Sequence, residues 1–308
     1  MKKLKRYKFS GHQTFAFRYG WLEKGVRGLL EEKDLFYRDD AIVRLGVGKN
    51  MVESIRHWCA VTQLIGEVAE SERANSAKLK VTPIGHKLLA PNGWDPFLED
   101  DATLWLIHWL LVSNPTIGTT WQIAFSTFQK PNFTRYELVD HLAAFAEKNG
   151  ILINERSLSK DVDCFIHTYT PPRKTTKQNI MEESLNCPLQ ELNLLHVSPD
   201  GEIINFSVGA KPTLPSSVLG FALLNYFDTF QGGRNTLSVQ ECLYGKGSPG
   251  QAFKLDENNL IFHIEELDKI THSKITLDET AGLKQVYRRK EIDAIKLLND
   301  YYNRGVSE

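Results

Sequence analysis

The segment from Asp39 to Leu89 begins DDAIVRLGVGKNMVESIRHWCAVTQLIGEV and closes with KLKVTPIGHKLL, and its pattern decides the fold. Apolar residues recur at helical spacing on both sides of a central glycine, Gly46. The residues on these two faces are Ala41, Ile42 and Leu45, then Val52, Ile55 and Cys59. Gly46 supplies the backbone freedom that a sharp turn between two helices requires. The order of helix, turn, helix and closing hairpin predicts a winged helix-turn-helix.

The outer face of the second helix is polar and mostly basic. It carries Lys49, Asn50, Arg56 and His57, side chains that hydrogen-bond phosphates or base edges when such a helix enters a major groove. Lys78 and Lys80 extend the predicted contact from the hairpin, and Arg18 adds charge ahead of it. Any helical hairpin gives the same periodicity, however, and many winged helices bind protein, so contact with double-stranded DNA is a hypothesis.

Charge is distributed unevenly along the 308 residues. The formal net charge is -1, but residues 1–8 contain five basic and no acidic side chains, whereas acids gather at 99–101 and 265–266. A DNA-facing surface must therefore be local, and its binding must depend on salt.

Cysteine usage and hydropathy indicate a cytoplasmic protein. The four cysteines, Cys59, Cys164, Cys187 and Cys242, lie far apart without a CxxC pair, which disfavours a zinc site and a disulfide framework. The longest apolar run, residues 104–112, contains His108 and is too short to span a bilayer. We expect buried thiols and no membrane association.

The rest of the chain predicts a mainly α protein with small β-hairpins, an α+β fold. Its two or three winged-helix-like units would surround a central apolar helix, TLWLIHWLLVSN. The predicted divisions are a basic segment plus winged helix over 1–92, a helical region over 93–170, a linker with short elements over 171–214, and a winged-helix-like domain over 215–308. Ser157 is expected to cap the helix LSKDVDCFIHTY, and GKGSPG is expected to be a flexible link.

The C-terminal region repeats the opening pattern. DENNLIFHIEELDKI predicts a helix with Asp256 as its N-cap, and residues 274–277 and 285–288 alternate as two strands of a hairpin. Arg288 and Arg289 lie on the distal strand of this hairpin, where we expect them to contact DNA.

Three sets of residues are candidates for chemistry. Asp163 and His167 stand four apart on one helical face, as a shared metal site or a surface hydrogen bond. Asp278 and Glu279 are either catalytic metal ligands beside an arginine clamp or partners in salt bridges. His12, in the polar bend SGHQTF, is either a catalytic phosphate ligand or proton shuttle, or a brace for the following helix.

Familiar catalytic motifs are absent from the sequence. It has no nucleotide-binding loop of Walker type, no HExxH and no GxSxG, so we expect no bound nucleotide. Strand cleavage would require a divalent metal, Mg or Mn.

Several long motifs carry a family resemblance. They are FSGHQTFAFRYGWL, AIVRLGVGKNMVESIRHW, TLWLIHWLL, DVDCF, GSPGQAFKLDE and LDETAGLKQVYRR. Together they resemble the family that includes the SspB component of bacterial single-strand DNA phosphorothioation systems. The resemblance implies a DNA-nicking or DNA-recognising subunit of a modification and defence system. Its implied partners are a cysteine desulfurase, an ATP pyrophosphatase and an ATPase.

Two main hypotheses for the function follow, with a third beside them. One is a metal-dependent DNA nickase, with His12, Asp278 and Glu279 as hypothetical catalytic residues. The other is a non-enzymatic winged-helix adaptor that recruits modification enzymes to DNA. A protein-binding scaffold is a third.

Overall fold

The computed structural model describes residues 7–68, 78–171 and 187–304. The basic residues of 1–6 and most of the predicted 171–180 loop lie outside these ranges, as does the side chain of Lys78. The helices are α1 Trp21–Glu31, α2 Ala41–Leu45, α3 Lys49–Val61, α4 Pro83–Leu89, α5 Asp101–Val112, α6 Thr119–Ser126, α7 Arg135–Lys148, α8 Glu155–Tyr169, α9 Ser216–Thr229, α10 Val239–Tyr244, α11 Pro249–Phe253, α12 Glu257–Ile270 and α13 Ala294–Tyr302. The strands are β1 Ile65–Val68, β2 Lys78–Val81, β3 Asn132–Thr134, β4 Leu195–Val197, β5 Ile203–Phe206, β6 Thr236–Ser238, β7 Ile275–Thr280 and β8 Leu283–Arg288.

The first unit has the predicted order of helix, turn, helix and hairpin. Helix α2 ends at Leu45 and is followed by its C-cap Gly46, whose φ of 63° lies in the left-handed region that glycine adopts without steric cost. Helix α3 follows, and β1 pairs with β2 as an antiparallel hairpin in which Ile65 lies opposite Val81. Helix α1 packs against both α3 and β2.

Helix α5 is the central apolar helix. All its residues from Ala102 to Val112 are buried. Its one histidine, His108, donates from Nε2 to the Ala252 carbonyl oxygen at 2.8 Å, and its Nδ1 atom accepts from the Tyr169 hydroxyl at 2.8 Å. The helix packs against α6, α9 and α11, so it connects the middle of the chain to the C-terminal region.

The second and third units share one topology. In the second, β3 is followed by α7, α8, β4 and β5, and the strand order in the sheet is β3-β5-β4. In the third, β6 is followed by α10, α11, α12, β7 and β8, and the order is β6-β8-β7. The helix after the first strand begins in both cases with a capping box, Thr134 with Glu137 and Ser238 with Glu241. Small antiparallel sheets on a helical framework confirm the predicted α+β class.

Two local predictions were wrong. Helix α8 begins at Glu155, because the Asn154 side chain accepts from the Ser157 backbone N–H and caps the helix three residues before the predicted position. The predicted flexible link, residues 245–250, instead contains the cap and the first two residues of α11. There Ser248 is buried, accepts from the Gln251 N–H and donates to the Leu243 carbonyl. Asp256 caps α12 as predicted.

One hydrophobic cluster extends through all three units of the described chain. The four cysteines are free and buried within it, and burial raises the pKa of each thiol. Within the described ranges, no helix has the length and apolarity needed to cross a membrane. The division into four sequence regions stays a prediction.

Candidate functional site

The bend before α1 has an unusual backbone. Ser10, Gly11, Gln13 and Thr14 have φ values of 63°, 107°, 50° and 66°. Only glycine visits this region without a steric penalty, and each other residue costs on the order of 1 kcal/mol. A run of such residues persists only where the surrounding contacts determine it, and backbone strain of this kind concentrates at functional sites.

A buried carboxylate, Asp161 of α8, holds this bend. It accepts hydrogen bonds from the Ser10 backbone N–H at 2.9 and 3.0 Å and from the Thr120 hydroxyl at 2.9 Å. It also bonds the His12 Nε2 atom at 2.8 Å, although its side chain is only 1% exposed. Asp161 therefore ties the bend to α6 and α8.

The geometry favours the bracing role for His12. Its Nδ1 atom accepts from the Thr14 backbone N–H at 3.0 Å, so the ring proton lies on Nε2, which donates to Asp161. The ring is 2% exposed, and both nitrogens are occupied. Transfer of a proton to substrate would require these bonds to break, so the bond pattern does not support the predicted shuttle.

A pocket of about 250 Å³ lies between this bend, α3 and the β1–β2 hairpin. The residues that line it are Lys8, Gly11, Gln13, Tyr37, Glu53, Arg56, His57, Ala60, Ile65, Gly66, Glu67, Leu79 and Ile117. Apolar side chains and polar side chains both contribute to the wall. The pocket therefore lies between the strained bend and α3, the helix that the sequence predicts to contact DNA.

His57 is buried in the wall of this pocket, whereas the sequence predicted it on the exposed face of α3. It is 7% exposed because it shares the buried stripe of Ser54 and Trp58. Its Nε2 atom is buried and has no hydrogen-bond partner in the described chain. Burial, with smaller contributions from His12, Lys8 and Arg56, lowers the pKa of His57 to about 3, so the ring is neutral.

Gly11 makes room for this imidazole. A Cβ atom at position 11 would lie 2.6 Å from the His57 Nδ1 atom, well inside van der Waals contact. Glycine at position 11 therefore permits both the positive φ and the close approach of the His57 ring.

Charged side chains surround the pocket in opposite signs. Lys8 and Arg56 are exposed, and the Lys8 backbone N–H donates to the Thr119 hydroxyl at 3.0 Å. Glu53 accepts from the Gln13 side-chain amide at 2.6 Å, and Glu67 is exposed on β1. The rim therefore carries two cations and two carboxylates.

Other residues predicted to contact DNA are spread over the first unit. Lys49 and Asn50 are exposed at the start of α3, on the same helix as Arg56. The Arg18 guanidinium lies 5.6 Å from the ring centre of Trp21. Lys80 is exposed on β2, opposite Gly66.

The C-terminal hairpin is separate from this pocket, and its two arginines bond other residues of the same region. Arg288 bonds Asp228 at 2.5 Å and Asn235 at 3.1 Å, with its side chain only 14% exposed, so its predicted contact with DNA would require these bonds to break. Arg289 bonds the Thr276 hydroxyl and lies 3.7 Å from Asp278.

Asp278 and its neighbour Glu279 do not form a joint site. They are consecutive on β7, so their side chains point to opposite faces, and Glu279 lies across from Lys284. The geometry favours the salt-bridge alternative for Asp278.

The structure does not join Asp163 and His167. Arg135 takes both Asp163 carboxylate oxygens, at 2.5 and 2.8 Å, and no hydrogen bond links Asp163 to His167 within the described residues. Among residues 7–68, 78–171 and 187–304, no group of three or more His, Cys, Asp or Glu residues is arranged to hold a metal ion.

Comparison with known proteins places the chain in a family. A family model described as a protein of unknown function, DUF4007, matches residues 9–302. The chain belongs to the DUF4007 family. No curated protein matches its sequence.

Two solved structures are similar to this DUF4007 chain over nearly its whole length. An SspB crystal structure has a TM-score of 0.84 at 28% sequence identity, and the match covers 99% of this chain and 91% of that one. A magnesium ion-bound SspB crystal structure gives a TM-score of 0.84 at 29% identity, covering 98% and 89%. The fold of this DUF4007 chain is therefore SspB-like.

Sequence reasoning missed the central role of Asp161 in this DUF4007 chain. The signal was present, because Asp161 interrupts the buried face formed by Leu158, Val162 and Phe165 of α8. A carboxylate on an apolar stripe must have buried partners. The sequence did not indicate that those partners come from the SGHQTF bend and from α6.

Proposed function

We propose that this chain is a DNA-binding component of a bacterial DNA phosphorothioation system. The observation that carries the proposal is the similarity to SspB over 99% of the chain at a TM-score of 0.84. The exposed residues Lys49, Asn50 and Arg56 on α3 support it, since an exposed polar helix face can enter the major groove of DNA. Duplex DNA is the proposed ligand, and a cysteine desulfurase, an ATP pyrophosphatase and an ATPase are the proposed partners.

The enzymatic form of the proposal is metal-dependent nicking. The side chains of the described residues do not fit a preformed magnesium cage, because no group of three or more ligands converges. Mg²⁺ commonly keeps several waters and binds one or two carboxylates together with substrate phosphates. The magnesium in the related SspB crystal structure supports the choice of this metal for a nicking assay.

DNA binding is tested by charge reversal on α3. We expect Lys49→Glu and Arg56→Glu each to lower duplex affinity at least about tenfold and to reduce the salt dependence of binding. Lys148→Glu is the matched control, since it reverses an exposed lysine on α7 of the second unit. Fluorescence anisotropy with a labelled duplex at several salt concentrations gives the affinities. Equal losses for all three variants, or no loss for any, would count against α3 as the DNA-binding helix.

Nicking is tested on supercoiled plasmid with magnesium, with EDTA as the control. We expect conversion to the open circle only when the metal is present. A plasmid that stays closed at protein concentrations that shift it in a gel would exclude the nickase and leave the adaptor. Absence of any gel shift would contradict DNA binding itself and favour a protein-binding scaffold.

A further inference from the structure

Each of the three units has one helix in the same position, directly before an antiparallel hairpin. These helices are α3 before β1–β2, α8 before β4–β5 and α12 before β7–β8. In helix-turn-helix proteins the second helix of the motif enters the major groove, and residues near its start contact the bases. The exposed charges of the three helices therefore indicate which of them can approach DNA.

Helix α8 exposes cations near its start. Arg156 and Lys160 are exposed, and because they stand four residues apart they share one face of the helix. Neither side chain forms an ion pair with a described residue. Asp163 lies on the same face, but Arg135 bonds both of its carboxylate oxygens and offsets its charge. Glu155 is the remaining exposed carboxylate at the helix start, so cations outnumber carboxylates there.

Helix α3 has the same character. Lys49 and Arg56 are exposed and form no ion pair within the described ranges. The carboxylate between them, Glu53, accepts a hydrogen bond from the neutral Gln13 side-chain amide at 2.6 Å. Cations again outnumber carboxylates on the exposed face.

Helix α12 differs from the other two in the sign of its charge. Glu257 bonds Lys284 at 2.8 Å, and Glu266 bonds Lys269 at 2.6 Å, so these four charges offset one another. Glu265 is exposed and forms no ion pair with the part of the chain that the structure describes. A face with an excess of carboxylates repels the phosphates of DNA. The equivalent helix of the third unit is therefore not suited to a DNA groove.

Helices α3 and α8 both pack against the strained bend. The Ser54 hydroxyl of α3 donates to the His12 carbonyl oxygen at 2.9 Å. Asp161 of α8 accepts from the Ser10 backbone N–H at 2.9 Å and from His12 Nε2 at 2.8 Å. These buried bonds hold the two helices in a fixed relation. Once one of them has bound a duplex, contact by the other becomes intramolecular and adds to the affinity.

We infer that α8 forms a second surface for duplex DNA, used together with α3, in which Arg156 and Lys160 contact phosphates. The choice of DNA as the ligand rests on the proposed function. The contact is made by the helix and not by the adjacent hairpin, because Asp200 and Glu202 are exposed at the turn between β4 and β5 and repel phosphate. The third unit takes no part in this surface.

Charge reversal on α8 is the first test. We expect Arg156→Glu and Lys160→Glu each to lower duplex affinity at least about tenfold, and to lower the slope of log affinity against log salt by about one, the value for one lost phosphate contact. Fluorescence anisotropy with a labelled duplex at several salt concentrations measures both quantities. Thermal unfolding verifies that the variants are folded.

Lys148→Glu on α7 and Lys269→Glu on α12 are the matched controls. Each reverses an exposed lysine and changes the net charge by the same amount as the α8 variants. We expect both controls to keep the wild-type affinity and salt dependence.

The second test varies the length of the duplex. Two helices on one duplex need more than one helical turn, so we compare duplexes of about 10 and about 30 base pairs. We expect the wild-type chain to bind the longer duplex at least about tenfold more tightly, because only the longer one spans both helices. The double variant Arg156→Glu/Lys160→Glu should lose most of this gain, whereas Lys148→Glu should keep it.

The outcomes separate this inference from the proposed function. Losses for Lys49→Glu and Arg56→Glu, with unchanged affinity for both α8 variants, overturn the second surface and leave the proposed function standing. Losses for the α8 variants alone support the second surface and contradict α3 as the DNA-binding helix. Equal losses for the α8 variants and the two controls reflect net charge only and overturn the inference. If the wild-type chain binds no duplex, the proposed function fails and the second surface fails with it.

Discussion

Asp161 gathers donors from segments that are far apart in the chain, in a place that excludes water. The Ser10 N–H precedes it by 151 residues, and the Thr120 hydroxyl by 41. Hydrogen bonds to a charged group are stronger than neutral ones, and a donor left without its acceptor in a buried site carries its full desolvation penalty. The conformation of the bend therefore depends on this one carboxylate.

Asp161→Asn should accordingly destabilise the chain. The amide keeps the shape but presents N–H groups to existing donors, so we expect a loss of about 1.5–3 kcal/mol in the free energy of unfolding, the range for hydrogen bonds to charged groups. Asp163→Asn is the matched control on the same helix, because its carboxylate is 44% exposed and such pairs contribute at most about 1 kcal/mol. Urea denaturation measures both. Similar losses for the two variants would contradict a special role for Asp161.

Gly11 gives a second test at this scale. Gly11→Ala adds a Cβ atom 2.6 Å from His57 Nδ1 at a φ of 107°, whereas Gly20→Ala has a φ of 77° and nothing within 4 Å. The control should lose about 1–2 kcal/mol from backbone strain alone. Gly11→Ala should lose about 1–3 kcal/mol more, the usual cost of overpacking. Denaturation of the two variants, each alone and combined with His57→Ala, should show that the excess is relieved only for position 11.

At the scale of single elements, substitutions at the start of α8 test which residue caps this helix. Asn154→Ala removes the side-chain oxygen that accepts from the Ser157 N–H at 2.8 Å, so we expect a loss of about 1 kcal/mol. Ser157→Ala should change stability by less than about 0.5 kcal/mol, because its hydroxyl lies inside the helix and caps nothing. Thermal or urea unfolding compares them. The reverse order of losses would restore Ser157 as the cap.

The sequence predicted those elements whose own residues show a clear apolar or capping pattern. The continuous apolar run of α5 and the caps and stripes of α12 were predicted from sequence, and so was the β1–β2 hairpin. Strands β3 and β6 were missed. Each has three residues and pairs with a strand far downstream, since Phe133 lies opposite Ile204 and Leu237 opposite Val286. Their pairing is set by tertiary contact, which no window of sequence contains.

At the scale of the whole molecule, the sequence likewise predicted some parts of the candidate site and not others. The sequence singled out both the SGHQTF bend and α3, but it placed His57 outward and left Asp161 without a role. The surroundings of both residues are set by how α3, α6 and α8 pack together, and long-range packing overrides local pattern. Asp278 and Glu279 of the hairpin were grouped with His12 only because all three residue types can take part in strand cleavage. In the fold, the hairpin belongs to the sheet of the third unit.

Three buried, neutral histidines in different parts of the chain affect one property of the whole molecule, its stability in acid. Burial lowers the pKa of His57 and of His108 from 6.5 to about 3, and that of His263 to about 4. In the unfolded chain these rings take up protons below pH 6.5, while the folded rings stay neutral. The unfolded state thus binds more protons between about pH 3 and 6.5, and stability must rise with pH across that window.

Replacing one of these rings should make that dependence shallower. His108→Gln keeps a donor and an acceptor for Tyr169 and Ala252 but does not titrate, so its unfolding free energy should fall by about 1.4 kcal/mol less per pH unit than the wild type below pH 6. The glutamine fits the cavity less well and lowers absolute stability, so the slope and not the level is the measured quantity. Urea denaturation at several pH values from 7 to 4.5 gives it. His196→Gln, on the exposed side of β4, should keep the wild-type slope. If the two variants have equal slopes, His108 is already charged in the folded protein or remains neutral in the unfolded one, and the linkage argument fails for it.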